Sequence, residues 1–432
     1  MEREAVMAAL GIDPAAISGS GGAGAGLWSP EAWERSQAGY AGEGSRYLSE
    51  AYIADAGRTA CLDERDVRLA AETAALVARS EPLARFAWHL HVVSFRSGPD
   101  GRNAVRNAPQ TLPGLGERSG LFYLVVLLSG IDRWREVAQR RPLPADLARA
   151  TLRDIHRKLG EHERWYGVRG LVVGSFVFLV RHLYGEILEL GRLQFEVGAF
   201  RGPVRVLRRR GDGAVLAVAV DGTRYTRDGR LLLSANAAAP DSWVARCEEE
   251  NGTLRAHPVR SVGEAVPRRC RLALAEWEEV LAPGDPVLHL HIPSGEPLDP
   301  ARCAASFREA ERIFPQYMPE HSFKAFALST WFLDPHLEEV LPPSANIVRF
   351  ARQFYRHPSM SNPASAFRFV FGPNHPADLD ALPRETTLQR VLVDHVRAGG
   401  TWHGGSGFIL RGEADGSERY RLRDLPADLA WE

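Results

Sequence analysis

The chain has 432 residues, 45% hydrophobic, 25% charged and 9% aromatic, which excludes a single small module and a disordered chain alike. Fifty-three basic residues meet fifty-four acidic ones, a formal charge of -1, so no whole-chain field exists to attract nucleic acid or an anionic membrane. The four cysteines, Cys61, Cys247, Cys270 and Cys303, lie far apart without a CxxC pair, which argues against a structural zinc or a disulfide framework.

The opening Met1-Glu2-Arg3-Glu4 leads into an Ala/Gly-rich stretch without a long apolar core. No secretory signal is expected, and cytoplasmic location is the default. Residues 1–45 read as a flexible lead-in, with a glycine-rich linker over 18–26. That linker lacks the preceding strand and the Gly-Lys-Ser/Thr ending of a phosphate-binding P-loop.

Residues 46–188 read as a helical domain, with apolar residues three and four apart over 64–79, 82–95, 145–165 and 171–191. The longest apolar runs, 121–131 and 171–180, fall well short of the ~20 residues that cross a bilayer. Buried helices, and no membrane partner, are expected. The spacings His89/His91 and His156/His162 do not place either pair on one helix face, so these imidazoles are expected to be structural.

From 189 to 432 the texture changes. Short Val/Leu/Phe/Tyr runs, divided at Asp212-Gly213, Asp221-Gly222, Asp228-Gly229 and Asn251-Gly252, predict an antiparallel meander over 192–274. Val287 to Ile292 reads as a strand. Asp299 as N-cap and Pro300 as first helical residue then predict a helix to about Tyr317. Beyond it are expected a strand over Phe323–Leu333, a short helix over Pro335–Leu341, an apolar segment over Ile347–Tyr355, a strand over Phe367–Phe371 and a helix over Thr387–Ala398. A final strand follows Gly404-Gly405-Ser406-Gly407, and a hairpin is expected around Asp415-Gly416. The fold class is α+β: a helical N-terminal domain before a mixed, largely antiparallel sheet flanked by helices.

Five segments in this order, Gly191–Glu196, His291–Gly295 with Pro297-Leu298, Trp331–Pro335, Leu341–Phe350, and Leu388-Gln389-Arg390 with Arg397–Gly400, resemble a bacterial family of acyltransferase domain-containing proteins. That family joins an N-acyltransferase N-terminal domain to a GNAT-like C-terminal domain. The resemblance covers most of residues 50–412. It implies transfer of an acyl group from a thioester such as acyl-CoA, a co-substrate and not a tightly bound cofactor, to an amine of a small molecule or peptide.

A GNAT-like fold holds the CoA pyrophosphate on the loop and helix start that correspond here to Pro293–Arg302. Ser294, Gly295, the N–H groups of Ala301 and Arg302 and the Arg302 guanidinium are the candidate contacts, since a helix N-terminus suits an anion. The usual Gln/Arg-x-x-Gly-x-Gly/Ala signature is absent, Pro297 and Pro300 remove two donors, and Glu296 adds a negative charge. This departure keeps a second reading open, a catalytically inactive GNAT-like binding or interaction module.

Alternation places Val287, His289 and His291 on one strand face, so the two imidazoles are the candidate general bases. Tyr355 is the candidate acid for the leaving thiolate. Ser329, as a donor to the thioester oxygen, and Trp331 share a face of the next expected strand, while Asn346 and Arg349 are candidates for binding an anionic group of the substrate. No metal site is expected. Cys303 lacks a neighbouring histidine for a nucleophilic dyad, and the Gly404–Gly407 run lacks the strand-turn-helix setting of a nucleophile elbow.

Overall fold

A computed structural model describes residues 1–13, 26–141, 143–232, 241–419 and 425–432. The glycine-rich linker lies outside these apart from Gly26. The chain forms two compact units, Met1–Glu189 and Leu190–Glu432.

The first unit is helical. Its centre is Ser119–Ser129, a helix apolar all round and buried at every position, as a helix wrapped by others must be. Glu50–Thr59, Glu64–Ala78, Glu81–Phe95 and Val173–Leu183 pack against it. The last helix was expected to reach 191. It stops at Leu183, and Ile187–Leu190 is a strand. Gly185, with φ +65°, supplies the left-handed turn that ends the helix. Part of the expected lead-in is helical as well: Arg3–Ala9 and Pro30–Gln37 bury Val6, Met7, Leu10 and Trp33 in the same core.

His89 and His91 lie inside this core. His89 Nε2 donates to the Leu27 carbonyl at 2.7 Å and Nδ1 accepts from Ser36 Oγ at 2.8 Å, while His91 Nδ1 lies 2.8 Å from Ser129 Oγ. Burial pushes their proton affinities down, to a pKa of about 4 for His89 and about 3 for His91, where Arg96 adds to the effect. Both folded values lie below the unfolded one, so the stability they carry is present above about pH 6.5 and is lost as pH falls toward those values. At pH 5 the cost is about 2 kcal/mol for each imidazole. Urea titrations at pH 7 and pH 5 should show the midpoint of the first unit falling accordingly; an unmoved midpoint would mean that the imidazoles gain protons without leaving the fold.

The second unit is built on a sheet in the order Leu193–Ala199, Pro286–His291, Ala325–Thr330, Gly405–Leu410, Tyr355–His357, with Ile187–Leu190, where the chain passes from the first unit to the second, as the sixth strand beside Leu193–Ala199. Pro286–His291 and Ala325–Thr330 run parallel, while Leu193–Ala199 pairs antiparallel with Pro286–His291, and Gly405–Leu410 pairs antiparallel with both Ala325–Thr330 and Tyr355–His357. A parallel pair needs a crossover, and the helix Pro300–Tyr317 provides it. Asp299 caps that helix, accepting from the Arg302 N–H at 2.9 Å, and Pro300 sits at its first turn. Its apolar stripe, including Phe307 and Phe314, packs on Phe195 and Phe326 of one sheet face.

The opposite face, bearing Val287, Ala325, Ala327, Tyr355 and Phe408, is covered by a β-rich insert through Phe200, Val204, Val206, Tyr225 and Val259. The expected meander is divided among three small sheets. Trp277–Leu281 pairs with Val204–Arg209, which pairs with Val215–Ala219; Ala430–Trp431, Cys270–Ala273, Thr253–Ala256 and Glu248–Glu250 form a second sheet; Arg224–Tyr225 and Trp243–Val244 form the third. Trp277–Leu281 lies beyond the expected meander. It is a strand because Trp277 and Leu281 point into the core, while Glu278 and Glu279 meet Arg210 and Arg205.

Two more assignments change. Phe367–Phe371, expected as a strand, lies in the helix Ala364–Phe371, where Ala366 and Phe367 enter a helical core with Leu337, Val348, Leu392 and Trp402. The strand expected over Phe323–Leu333 spans Ala325–Thr330 and passes into a 3₁₀ turn, Trp331–Leu333. The short helix following it is Leu337–Val340, and Thr387–Arg397 starts with a Thr386/Gln389 capping box. Around Asp415 the Ser417 N–H donates to the aspartate in a turn, but a returning strand would fall on 420–424, outside the described residues.

Candidate active site

The parallel pair positions the site. Its ladder consists of Val287↔Ala325, Leu288↔Phe326 and His289↔Ala327 and goes no further, although each strand continues in register with its outer neighbour, to His291↔Gln194 and to Thr330↔Gly405. The two strands therefore part at their carboxyl ends. Main-chain groups beyond His289 lose their ladder partners there, at a topological switch point of the kind where open sheets bind ligands.

On the insert-facing side of this opening the register brings polar residues together. His291 Nε2 donates to Glu196 Oε2 at 2.7 Å; Glu196 is buried and His291 one-third exposed. The residues directly opposite are His289↔Glu196 and His291↔Gln194, so the contact runs along the diagonal of the ladder. His289 bends the other way. Its ring lies over Gly198, where a Cβ would stand 2.6 Å from Cδ2, and Nε2 donates to the Ala199 carbonyl at 3.0 Å. Burial pushes its proton affinity down, which keeps the ring neutral.

Ser329 is exposed on the adjoining strand and its Oγ accepts from Ser406 Oγ at 3.0 Å. Trp331 does not share that strand face: the strand ends at Thr330 and the indole is buried among Leu337, Val348 and Trp402. Tyr355 occupies the same cross-strand rung as His289, three strands away, or about 14 Å. Its hydroxyl donates to Glu413 Oε2 at 3.1 Å, and burial followed by that carboxylate raises its pKa above the ordinary phenol value. Asn346 and Arg349 are exposed on the helix Asn346–Ala351.

The loop after the first parallel strand is shaped by Arg192. This buried side chain donates through Nε to the Pro297 carbonyl at 2.9 Å and through Nη2 to the Glu296 carbonyl, while its N–H is held by Ser306 Oγ at 2.8 Å. Gly295, at φ +103°, makes the turn this requires. Arg302 spends its N–H on Asp299 and its guanidinium on Glu296 at 2.5 Å. Ser294, Gly295 and Ala301 are exposed at the loop and helix start. Burial pushes the Cys303 thiol up to about 11, which suits a core residue and not a nucleophile.

A second polar cluster follows the other parallel strand. Buried Asp334 accepts from the N–H groups of His403, at 2.5 Å, and Gly404, at 2.9 Å, through Oδ2, and from His336 N–H and Nδ1 through Oδ1 at 3.1 and 2.9 Å. His395 and His403 ring centroids lie 5.1 and 5.9 Å from that of His336. The sequence singled out neither Glu196 nor Asp334 with His336, because each pairing joins elements that only the fold makes adjacent. An alternating Gln194-Phe195-Glu196 and an Asp334-Pro335-His336 turn were the available signals.

A sheet whose parallel central strands part over a loop and helix start defines a GNAT-like acyltransferase fold. Residues 187–409 match the GNAT-like C-terminal domain and residues 54–185 the N-acyltransferase N-terminal domain, and the chain belongs to the family that combines them. A comparison with curated protein sequences gives no match. Among solved structures, an acyltransferase in complex with CoA and 10C-teicoplanin is 22% identical, with a TM-score of 0.64 over 95% of this chain and 100% of that one. An acyltransferase with decanoyl-CoA and teicoplanin and a mutant acyltransferase with octanoyl-CoA are similar at 22% identity, a TM-score of 0.63 and the same coverage. No helix among the described residues is long and apolar enough to cross a membrane.

Proposed function

We propose that the protein transfers an acyl group from acyl-CoA to an amine of a small molecule or peptide. The observation that carries this reading is the Glu196–His291 pair at the parting of the two parallel strands. Main-chain groups without ladder partners suit the amides of a CoA arm. The Glu196–His291 pair takes the ammonium proton as the amine attacks, with Glu196 stabilising the imidazolium. His289, neutral and tied to Ala199, positions the strand. Ser329 lies on the neighbouring strand as a donor for the thioester oxygen. Exposed Asn346 and Arg349 suit an anionic group of the acceptor.

For the donor's phosphates, Ser294, Gly295, the Ala301 N–H and the Arg302 guanidinium, once exchanged from Glu296, are the contacts this loop offers. That several relatives of the same fold hold octanoyl-CoA, decanoyl-CoA or teicoplanin supports a medium-length acyl donor and an amine-bearing acceptor larger than a metabolite. A second reading, a binding module without turnover, is favoured by one feature: Arg192 and Asp299 already occupy two carbonyls and one N–H of the phosphate loop.

Calorimetry and thermal unfolding with CoA, acetyl-CoA and decanoyl-CoA distinguish the two. At a hundred times the dissociation constant, a bound donor stabilises the fold by about 2.7 kcal/mol, which registers as a shifted midpoint. Saturable binding with release of CoA thiol in the presence of glucosamine, glycinamide or teicoplanin is expected. Absence of binding by every thioester would leave the module reading.

A further inference from the structure

The run Gly404-Gly405-Ser406-Gly407 serves no step of the proposed reaction, yet its packing is tight. Gly405–Leu410 is an interior strand, paired antiparallel with Ala325–Thr330 on one side and with Tyr355–His357 on the other. A Cβ on Gly405 would stand 2.4 Å from the Leu333 carbonyl oxygen, and one on Gly407 would stand 2.9 Å from that of Tyr355. Both positions need glycine for close approach, so the main chain of the serine between them is held on either side.

Ser406 lies opposite Ser329 in the ladder and two residues from Phe408, on the insert-facing side. Ser329 follows Ala327 by two residues as His291 follows His289, and His289 and Ala327 form the last rung of the parallel pair. His291, Ser329 and Ser406 thus occupy the next rung of the same face, on three consecutive strands. The strands of His291 and Ser329 part there, from the ~4.8 Å of an ordinary strand spacing.

The two hydroxyls differ. Ser406 is 8% exposed, and its Oγ donates to Ser329 Oγ at 3.0 Å, its one side-chain hydrogen bond among the described residues. Ser329 is exposed, accepts that bond and makes no other among the described residues. A hydroxyl that accepts from a buried neighbour has its own hydrogen left to donate.

We propose that Ser406 is a positioning residue, which by donating to Ser329 Oγ leaves the Ser329 hydrogen for the thioester oxygen of the acyl donor. The inference rests on the acyltransferase reading above. As the amine's electron pair forms the C–N bond, the carbonyl π electrons move onto oxygen, where the Ser329 hydroxyl holds them without giving up its proton. The carbonyl then re-forms and the C–S bond breaks with its electrons on sulfur. The thiolate takes a proton from solvent, while the Glu196–His291 pair carries the ammonium proton. Hydrogen bonds in series polarise one another, so the Ser406 bond strengthens the Ser329 bond as charge develops on the oxygen. With the serine main chain held between its glycines, little reorganisation is needed when that charge appears.

The test uses the full chain, decanoyl-CoA isotopically labelled at the thioester carbonyl, and the best amine among glucosamine, glycinamide and teicoplanin. Ser329→Ala should lose about 100-fold in kcat and Ser406→Ala about 10-fold, both with KM within threefold of wild type. The double variant should be no slower than Ser329→Ala, because Ser406 acts through that hydroxyl. Infrared difference spectra without amine give a readout that a pair merely fastening two strands would not move. The carbonyl stretch of the bound donor should rise in frequency in Ser329→Ala, and by less in Ser406→Ala, as the hydrogen bond to oxygen is lost or weakened. An unmoved band in Ser406→Ala, or the same loss in kcat repeated in the Ser329→Ala background, would overturn the assignment while donor binding and wild-type turnover stand. No saturable binding of decanoyl-CoA by the wild type would overturn the proposed function and this inference with it.

Discussion

His291→Ala is expected to lower kcat/KM for acyl transfer by about 1,000-fold, and Glu196→Gln by about 100-fold, the range over which removal of a general base acts. The pair joins a partly exposed imidazole to a carboxylate that is almost wholly buried. Such a carboxylate is retained at a cost, because an ionised group in a sheet interior loses hydration that only a partner restores. In the proposed reaction it stabilises the imidazolium that forms as the amine loses its proton. The two effects should not add: Glu196→Gln combined with His291→Ala should be no slower than His291→Ala alone, since the carboxylate acts through the ring. Decanoyl-CoA should still shift the unfolding midpoint of His291→Ala. His289→Ala should leave the pH profile in place, because that ring holds the Ala199 carbonyl. Activity of His291→Ala within threefold of wild type, with donor binding intact, would remove the pair from the mechanism.

The parts of this site carried by local chemistry were legible in the sequence. Asp299-Pro300 announced its helix because cap and first turn are satisfied within four residues, and the alternation Val287-Leu288-His289-Leu290-His291 fixed which residues share a face. The five ordered segments carried the family. What failed was the choice between strand and helix where apolar runs are short: Phe367–Phe371 has the Phe/Val composition of a strand, but its burial is decided by contacts with Leu392 and Trp402. Trp331 was misplaced for the same reason, since Thr330 accepts the Phe332 N–H at 3.3 Å and turns the chain out of the strand. The polar partners were illegible for a different reason. Glu196 and His291 stand 95 residues apart, and Asp334 meets the His403 main chain across 69 residues. Long-range pairing of this kind follows from strand order, and strand order is not written in any local period.

Asp334→Ala is expected to cost the second unit about 4 kcal/mol. The carboxylate is buried and accepts four hydrogen bonds, from the His336, His403 and Gly404 N–H groups and His336 Nδ1. Alanine removes every acceptor at once and leaves part-buried donors unpaired, at about 1–3 kcal/mol each, reduced by whatever water enters the space. The segment cannot move aside to recover them. Gly405, next to the held turn, already lies so close that a Cβ would stand 2.4 Å from the Leu333 carbonyl oxygen. For a unit of this size the loss corresponds to a melting temperature lower by about 8–16 °C. Asp334→Asn keeps one acceptor oxygen and should recover about half of the loss. The sign of the pH dependence follows from the same contacts. Hydrogen bonds from His336 and the His403 and Gly404 N–H groups outweigh burial and hold the Asp334 pKa below its unfolded value, so its stabilisation is present above about pH 4 and is lost as pH falls through the folded value. His336 runs oppositely: its folded value is raised, so its contribution is whole below about pH 6.5 and fades as pH rises through that folded value. The pair is therefore most stabilising between these limits, where Asp334 is ionised and His336 protonated. Denaturant titrations of wild type and Asp334→Ala at pH 5 and pH 8 should show the larger difference at pH 5, and equal differences would mean that the coupling between the two charges contributes nothing to the fold.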